Sequence, residues 1–151
     1  SMQERRKRER AFAERLAPVS RSWRQLADDA LSSLGISNSS GWALVHLLRL
    51  GKTVRQSELA RVVGVTEPSL VRTLNLLEGA GLAVRIADET DRRAKHLSLT
   101  AEGEALAERI DARLNTLREG LLGGITDADL ETTVAVLDRI AARVAESSSK
   151  P

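Results

Sequence analysis

The chain has 151 residues, of which 42% are hydrophobic and 29% are charged, a composition typical of one globular domain with a buried core. Its net charge of +2 and its 2% of aromatic residues argue against a bulk polycation and against base stacking on single strands, so any nucleic-acid binding must come from local basic clusters. The lack of cysteine excludes disulfides, thiolate metal sites and a cysteine redox sensor and agrees with a cytoplasmic location, and the lack of a long apolar run or signal-peptide pattern predicts no membrane association.

The first predicted element is helical and spans residues 11–34. Apolar side chains recur there at three- and four-residue steps: Phe12, Leu16, Val19, Trp23, Leu26, Ala30 and Leu34. Pro18 either kinks one helix or starts a second, because proline removes a backbone hydrogen bond and clashes with the preceding turn. The charged run at residues 3–10 is a solvated helix start or a frayed arm, with a direct DNA contact as the alternative.

A second helix is predicted over residues 41–50, after a polar loop at residues 35–40. His46 lies one helical turn from Trp42, and we interpret it as a boundary histidine packed on the indole ring. The chain holds only two histidines, without metal-ligand spacing, and it has neither a cysteine nucleophile nor a serine in a nucleophile-elbow sequence. We therefore expect no enzyme and no metal or other cofactor.

The stretch from residue 56 to residue 82 has the pattern of two short helices joined by a tight turn. The first helix is predicted over Gln56–Val63, and Gly64 supplies the turn because glycine adopts positive φ without steric cost. Thr66 is the predicted N-cap of the second helix, and Pro68 lies in its first turn, where a missing N–H is harmless.

The second helix of this pair has two distinct faces. Its apolar face consists of Leu70, Val71, Leu74 and Leu77. Ser69 and Arg72 point the other way, which suits a recognition helix in a DNA major groove. The alternative is an ordinary amphipathic helix with a solvated polar face, since helix-turn-helix shapes also occur in proteins that bind no DNA.

Two strand-like runs follow, at residues 82–86 and 95–99, and a polar tip at residues 87–94 joins them. Two strands placed directly after a helix-turn-helix make a wing, whose tip can reach a neighbouring minor groove.

The C-terminal part is predicted to form two helices, capped by Thr100 and by Thr126. The apolar stripe of the first helix comprises Leu106, Ile110, Leu114, Leu117 and Leu121, and that of the second comprises Leu130, Val134, Leu137, Ile140, Ala141 and Val144. Gly123 and Gly124 separate the two stripes. Stripes at both ends of the chain predict contact with a second subunit, with a monomeric bundle as the alternative.

The run LARVVGVTEPSLVRTLNLLEGAGLAVR, followed by DRRAKHLSLTAEG, resembles the winged-helix core of the MarR family of transcription regulators, and within it the SlyA-like members. The combination of a helix-turn-helix, L-x-x-L-E-x-x-G-L, a D-R-R wing and L-x-L-T-x-x-G is specific. The flanking helices also fall where that family has them, so the resemblance covers nearly the whole chain. It implies a homodimer intertwined through both termini.

The predicted fold is mainly α with a small β-wing, namely a winged helix-turn-helix core flanked by N- and C-terminal dimerisation helices. We expect an N-terminal dimerisation region at residues 1–34 and a DNA-binding lobe at residues 35–100. C-terminal dimerisation helices follow at residues 101–146, and a disordered polar tail at residues 147–151.

The predicted DNA contacts fall into three groups, and a further set of residues shapes the wing. Ser69 and Arg72 read bases, with Thr66, Glu67 and Pro68 at the leading end of the helix. Arg85, Lys95, Gln56 and Ser57 contact phosphates, and Thr73 either does so or only flanks the core. Arg92 or Arg93 enters the minor groove at the wing tip. The resemblance implies that Asp91 braces the wing, and Asp88 and Glu89 indicate a loop shaped by local ion pairs.

The resemblance also implies an effector site, because MarR-like proteins are often controlled by phenolic or aromatic carboxylate compounds. The residues that would line such a site are Trp23, Arg24, Trp42, Val45 and His46. The alternative, which we slightly favour, is that both tryptophans belong to the core.

We therefore predict a cytoplasmic, sequence-specific regulator of transcription, such as a repressor, that binds double-stranded DNA. It would act as a homodimer on a pseudo-palindromic operator and be released by a small aromatic ligand. The alternative is a winged-helix module for protein contacts that binds no DNA.

Overall fold

The computed structural model describes residues 1–51, 53–91 and 95–149. They form two compact units, divided between Leu117 and Arg118. The helices of the described part are α1 (Met2–Ser32), α2 (Asn38–Leu50), α3 (Gln56–Val63), α4 (Glu67–Gly79), α5 (Ala101–Leu122) and α6 (Asp127–Ser149). The strands are β1 (Val54–Arg55), β2 (Ala83–Ala87) and β3 (Lys95–Leu99). Each helix of the described ranges is too short or too polar to span a lipid bilayer.

Helix α1 is one continuous helix that passes through Pro18. It begins at Met2, because the Ser1 hydroxyl accepts from the Glu4 N–H and the Glu4 side chain returns to Ser1. The charged run at residues 3–10 is therefore part of the helix. The helix ends at Ser32, two residues earlier than the apolar pattern predicted.

The core lies in the first unit, where α2, α4 and the sheet meet. Its largest fully buried side chains are Leu31, Leu44, Val45, Leu47, Leu59, Leu70, Leu74, Leu77, Leu97 and Ile110. Each such side chain contributes about 1.5–3 kcal/mol relative to full exposure. A Cβ at Gly41 would lie 3.1 Å from the Leu31 side chain, so the glycine lets α1 and α2 approach closely.

The three strands pair antiparallel in the order β1-β3-β2. The sequence pattern predicted β2 and β3, and it missed β1, in which Val54 pairs with Leu97 and Arg55 with His96. Side chains alternate across the sheet, as strand geometry requires. Leu97 therefore enters the core, and its neighbour His96 lies on the other face.

The junction between the sheet and α5 is made by Thr100. Its hydroxyl donates to the Gly81 carbonyl at 2.6 Å and accepts from the Gly103 N–H at 3.0 Å. A Cβ at Gly103 would lie 1.8 Å from the Leu82 carbonyl oxygen, so only glycine fits there. The T-x-x-G part of the wing motif thus has a packing reason.

In the second unit, Thr126 caps α6 by accepting from the Asp129 N–H at 3.1 Å. No described residue of α6 is buried. The helix continues through Ser149, which corrects the expected disordered tail for residues 147–149. The hydroxyls of Ser147 and Ser148 satisfy carbonyls of the preceding turn at 3.0 Å.

Candidate nucleic-acid interface

The helix-turn-helix has the local geometry that its sequence predicts. Gly64 ends α3 in the left-handed conformation, with φ 81° and ψ 34°, and its N–H donates to the Ala60 carbonyl at 2.9 Å. Thr66 starts α4, where its hydroxyl accepts from the Ser69 N–H at 3.3 Å. Pro68 lies in the first turn, as predicted. The turn between α3 and α4 is therefore defined by backbone and capping hydrogen bonds.

The outer face of α4 is open to solvent. The exposed side chains at its start and in its first two turns are Thr66, Glu67, Pro68, Ser69 and Arg72. The opposite face is closed, since Leu70, Leu74 and Leu77 are buried. Within the part of the chain that the structure describes, Arg72 makes no ion pair, so its guanidinium group is available to a ligand.

Thr73 belongs to the inner face of α4, which corrects its predicted phosphate role. The residue is only 7% exposed, and its hydroxyl donates to the Ser69 carbonyl at 3.5 Å. This position agrees with the alternative that Thr73 flanks the core.

Arg85 joins β2 to α4 and is not an open phosphate contact. Its guanidinium group pairs with the Glu78 carboxylate and donates to the Asn75 side-chain oxygen, and only 19% of the side chain is exposed. The sequence prediction missed this bracing role, because the three residues lie on two different elements.

A cluster centred on Asp88 holds the base of the wing. The carboxylate accepts from His96 Nε2 at 2.8 Å, and from the Thr90 N–H and Thr90 hydroxyl at 2.8 Å each. Arg55 lies 3.8 Å away on β1. The hydrogen bond from His96, followed by those from Thr90, holds the pKa of Asp88 below its usual range.

The cluster agrees with the prediction of a loop shaped by local ion pairs, and it identifies Asp88 as a brace. Asp91 is exposed and its backbone N–H donates to Asp88; its own bracing role stays a prediction. Arg92 and Arg93 lie outside the described residues.

The remaining predicted phosphate contacts lie at the starts of two elements. Ser57 and Lys95 are exposed, at the beginnings of α3 and β3. Gln56 is half-buried, and its Oε1 is buried with no hydrogen-bond partner among the described residues. The N-cap residue of α3 is Arg55, whose side chain makes no capping hydrogen bond. Among the described residues, the first N–H groups of α3 therefore have no side-chain acceptor.

The predicted effector residues meet where α1 and α2 pack. The Arg24 guanidinium carbon lies 4.2 Å from the centre of the Trp42 ring, and both side chains donate to Asp28 Oδ1, at 3.2 and 2.9 Å. The His46 ring centre is 6.1 Å from that of Trp42, as expected for a histidine packed beside the indole. Burial, followed by the charges of Arg49 and Arg24, lowers the pKa of His46.

The other two predicted effector residues, Val45 and Trp23, have surroundings different from those of Arg24, Trp42 and His46. Val45 is fully buried in the core, which corrects its assignment as the lining of an open cleft. Trp23 is half-buried on α1. Asp28, which the sequence did not single out, holds Arg24 and Trp42 together; only the four-residue spacing from Arg24 hinted at it. Among the described residues, no group of three or more His, Cys, Asp or Glu side chains could hold a metal ion.

The chain resembles known proteins over most of its length. The family model described as the MarR family matches residues 34–94. The chain is similar to a solved transcriptional regulator, PA3341, at 40% identity over 89% of this chain and 98% of that one, with a TM-score of 0.81. It is also similar to a MarR-family regulator from Rhodococcus sp. RHA1, at 26% identity over 88% and 94% of the two chains, with a TM-score of 0.74.

A third solved structure has the same fold. It is a mutant of MarR from E. coli complexed with operator DNA, with 23% identity over 86% of this chain and 93% of that one and a TM-score of 0.71.

Proposed function

The chain belongs to the MarR family of transcription regulators, and we propose that it binds double-stranded operator DNA as a homodimer. The open face of α4 carries this proposal. Ser69 and Arg72 lie in its first two turns, exposed, with the leucines of the opposite face buried beneath them. An arginine in this position can donate two hydrogen bonds to guanine O6 and N7 in the major groove.

Phosphate contacts on both sides of α4 would fix its register. The open N–H groups at the start of α3 suit a phosphate, helped by the positive end of the helix and by the Ser57 hydroxyl. Lys95 is the candidate on β3. The proposal assigns a minor-groove contact to Arg92 or Arg93 on the strength of the sequence.

The mechanism that we propose is steric and depends on two-fold symmetry. Two copies of α4 would enter successive major grooves about 34 Å apart, so the operator would be a pseudo-palindrome, A·T-rich where the wings land. An aromatic carboxylate that binds near Trp23, Arg24, Trp42 and His46 would release the DNA if it binds the free form of the dimer better. We further propose that the protein acts in the cytoplasm.

The test is binding to genomic DNA fragments at several salt concentrations. A DNA-binding regulator should select a small set of fragments. The logarithm of its binding constant should fall linearly with the logarithm of the salt concentration, because phosphate contacts release counterions. A protein-interaction module would select no fragment. The effector part is tested separately by Trp fluorescence during titration with salicylate, where no quenching and no change in DNA affinity would reject it.

A further inference from the structure

Leu76 is a large apolar side chain that α4 leaves in water. It is 62% exposed, whereas the other leucines of the helix are at most 2% exposed: Leu70, Leu74 and Leu77. Leu76 therefore contributes little to the core of this chain.

The position of Leu76 on the helix ties it to the proposed DNA contacts. Ser69, Arg72 and Leu76 follow each other at steps of three and four residues, so they lie along one side of α4. A rise of about 1.5 Å per residue puts Leu76 about 6 Å beyond Arg72 along the helix axis. That distance is about two base-pair steps in a duplex with about 3.4 Å per step.

The neighbouring edge of the helix is already occupied. Asn75 and Glu78, on either side of Leu76 in the sequence, bind the Arg85 guanidinium group. These contacts fix the last turns of α4 against β2 and leave the side with Arg72 and Leu76 facing outward.

An isobutyl group neither donates nor accepts hydrogen bonds, so it cannot read the polar edges of bases or bind phosphate. The apolar group that the major groove offers is the C5-methyl of thymine. With Arg72 supplying positive charge beside it, the chemistry of this surface fits a DNA duplex.

We propose that Leu76 is a specificity-determining residue that contacts a thymine methyl group in each operator half-site. The inference rests on the proposed function and adds a second base position to the one assigned to Arg72.

The test uses a duplex selected by binding, in which thymines are replaced one at a time by deoxyuridine. Deoxyuridine lacks the methyl group but keeps the base pairing and the O4 acceptor. We expect one replacement in each half-site to weaken wild-type binding by about fourfold, the factor that corresponds to burial of one methyl group. The Leu76→Ala variant should bind the original duplex more weakly and be indifferent to that replacement.

A matched control is Leu50→Ala, because Leu50 is also an exposed leucine, at the end of α2. This variant should retain the wild-type response to deoxyuridine. Circular dichroism and the Tm of Leu76→Ala should match those of wild type, since an exposed side chain adds little to stability.

Two results would overturn the inference. If no replacement weakens binding of the wild-type protein, the protein reads no thymine methyl group. If the replacement weakens binding of Leu76→Ala by the same factor as it weakens wild-type binding, another residue or the duplex shape senses the methyl group. If no duplex is bound at all, the proposed function itself fails, so the two failures are distinguishable.

Discussion

Arg72 is the residue on which base discrimination depends in the proposed complex. Its side chain is exposed, makes no ion pair among the described residues and lies opposite the buried leucines of α4. Arg72 therefore contributes little to the stability of the fold. Its replacement separates an effect on DNA binding from an effect on stability more cleanly than replacement of a half-buried residue would.

We predict that Arg72→Ala lowers affinity for the selected operator by about 1–3 kcal/mol and reduces the preference over unrelated DNA. The measurement is fluorescence anisotropy on both duplexes at fixed salt. Arg109→Ala, which removes an exposed arginine from α5, is the control and should bind as wild type does. Unchanged discrimination in Arg72→Ala would reject the assignment of the reading face.

Titration of the Asp88 carboxylate makes the stability of the wing depend on pH. Its pKa is lowered in the folded state, so the ionised form stabilises the fold at every pH above the ordinary value of about 3.9. This stabilisation is lost as the pH falls through the lowered pKa. Between pH 7 and about pH 5, protonation of Asp88 should therefore not weaken the wing.

We predict that Asp88→Asn lowers stability at pH 7, because the amide is a weaker acceptor for His96 and Thr90. The variant should also unfold with a smaller pH dependence than wild type below about pH 4, since it has lost the group that titrates there. Urea unfolding of both proteins at pH 7 and at several pH values below about 4 measures both effects. An equal pH dependence in the two proteins would contradict the assigned role.

At the scale of elements, the helix-turn-helix was predicted because its signals are local in the sequence. Strand β1 and the bracing roles of Arg85 and Asp88 were missed because they depend on contacts between residues farther apart in the chain. Gly64 and Thr66 form hydrogen bonds with backbone groups within four residues, so their roles can be predicted from the sequence. Strand β1 has only two residues and exists because Val54 pairs with Leu97, far along the chain. The bracing role of Arg85 likewise depends on Glu78, seven residues away, and that of Asp88 depends in part on His96, eight residues away.

We predict that Arg85→Ala weakens DNA binding without changing its salt dependence. The side chain holds β2 against α4 through Glu78 and Asn75, so its loss should misplace the wing rather than remove a phosphate contact. Glu78→Ala breaks the same pair and is the matched comparison. If the salt slope of Arg85→Ala instead falls by about one, the arginine contacts a phosphate, as the sequence first predicted.

We predict that Gly103→Ala destabilises the protein by about 1–3 kcal/mol or more, because a Cβ 1.8 Å from the Leu82 carbonyl oxygen forces α5 away from the sheet. Gly120→Ala is the control in the same helix. A Cβ at Gly120 meets nothing within 4 Å, so this change should stabilise the helix by about 0.5–1 kcal/mol. Thermal unfolding of both variants measures the contrast, and similar Tm values would refute the packing argument.

At the scale of the whole molecule, apolar side chains remain exposed on the terminal helices. On α1 they include Phe12, Leu16, Val19 and Leu26. On α6 they include Val134, Leu137 and Val144, which follow each other at helical spacing. Exposed apolar stripes of this length are typical of surfaces that a partner covers, and a second copy of this chain is the partner that the proposed function requires.

We predict that Leu137→Glu converts a wild-type dimer into a monomer, because the charge would be buried without a partner in the centre of the α6 stripe. Light scattering should then give a mass near 16.4 kDa, the mass of one chain. Operator affinity should fall steeply as well, since a monomer reaches only one half-site at a time. Thr132→Glu adds the same charge on the opposite side of α6 and should leave the dimer intact. A wild-type protein that is already monomeric, or a Leu137→Glu monomer with full operator affinity, would show that two-fold symmetry does not create the binding surface. A Leu137→Glu protein that stays dimeric would reject the α6 stripe as the dimer interface.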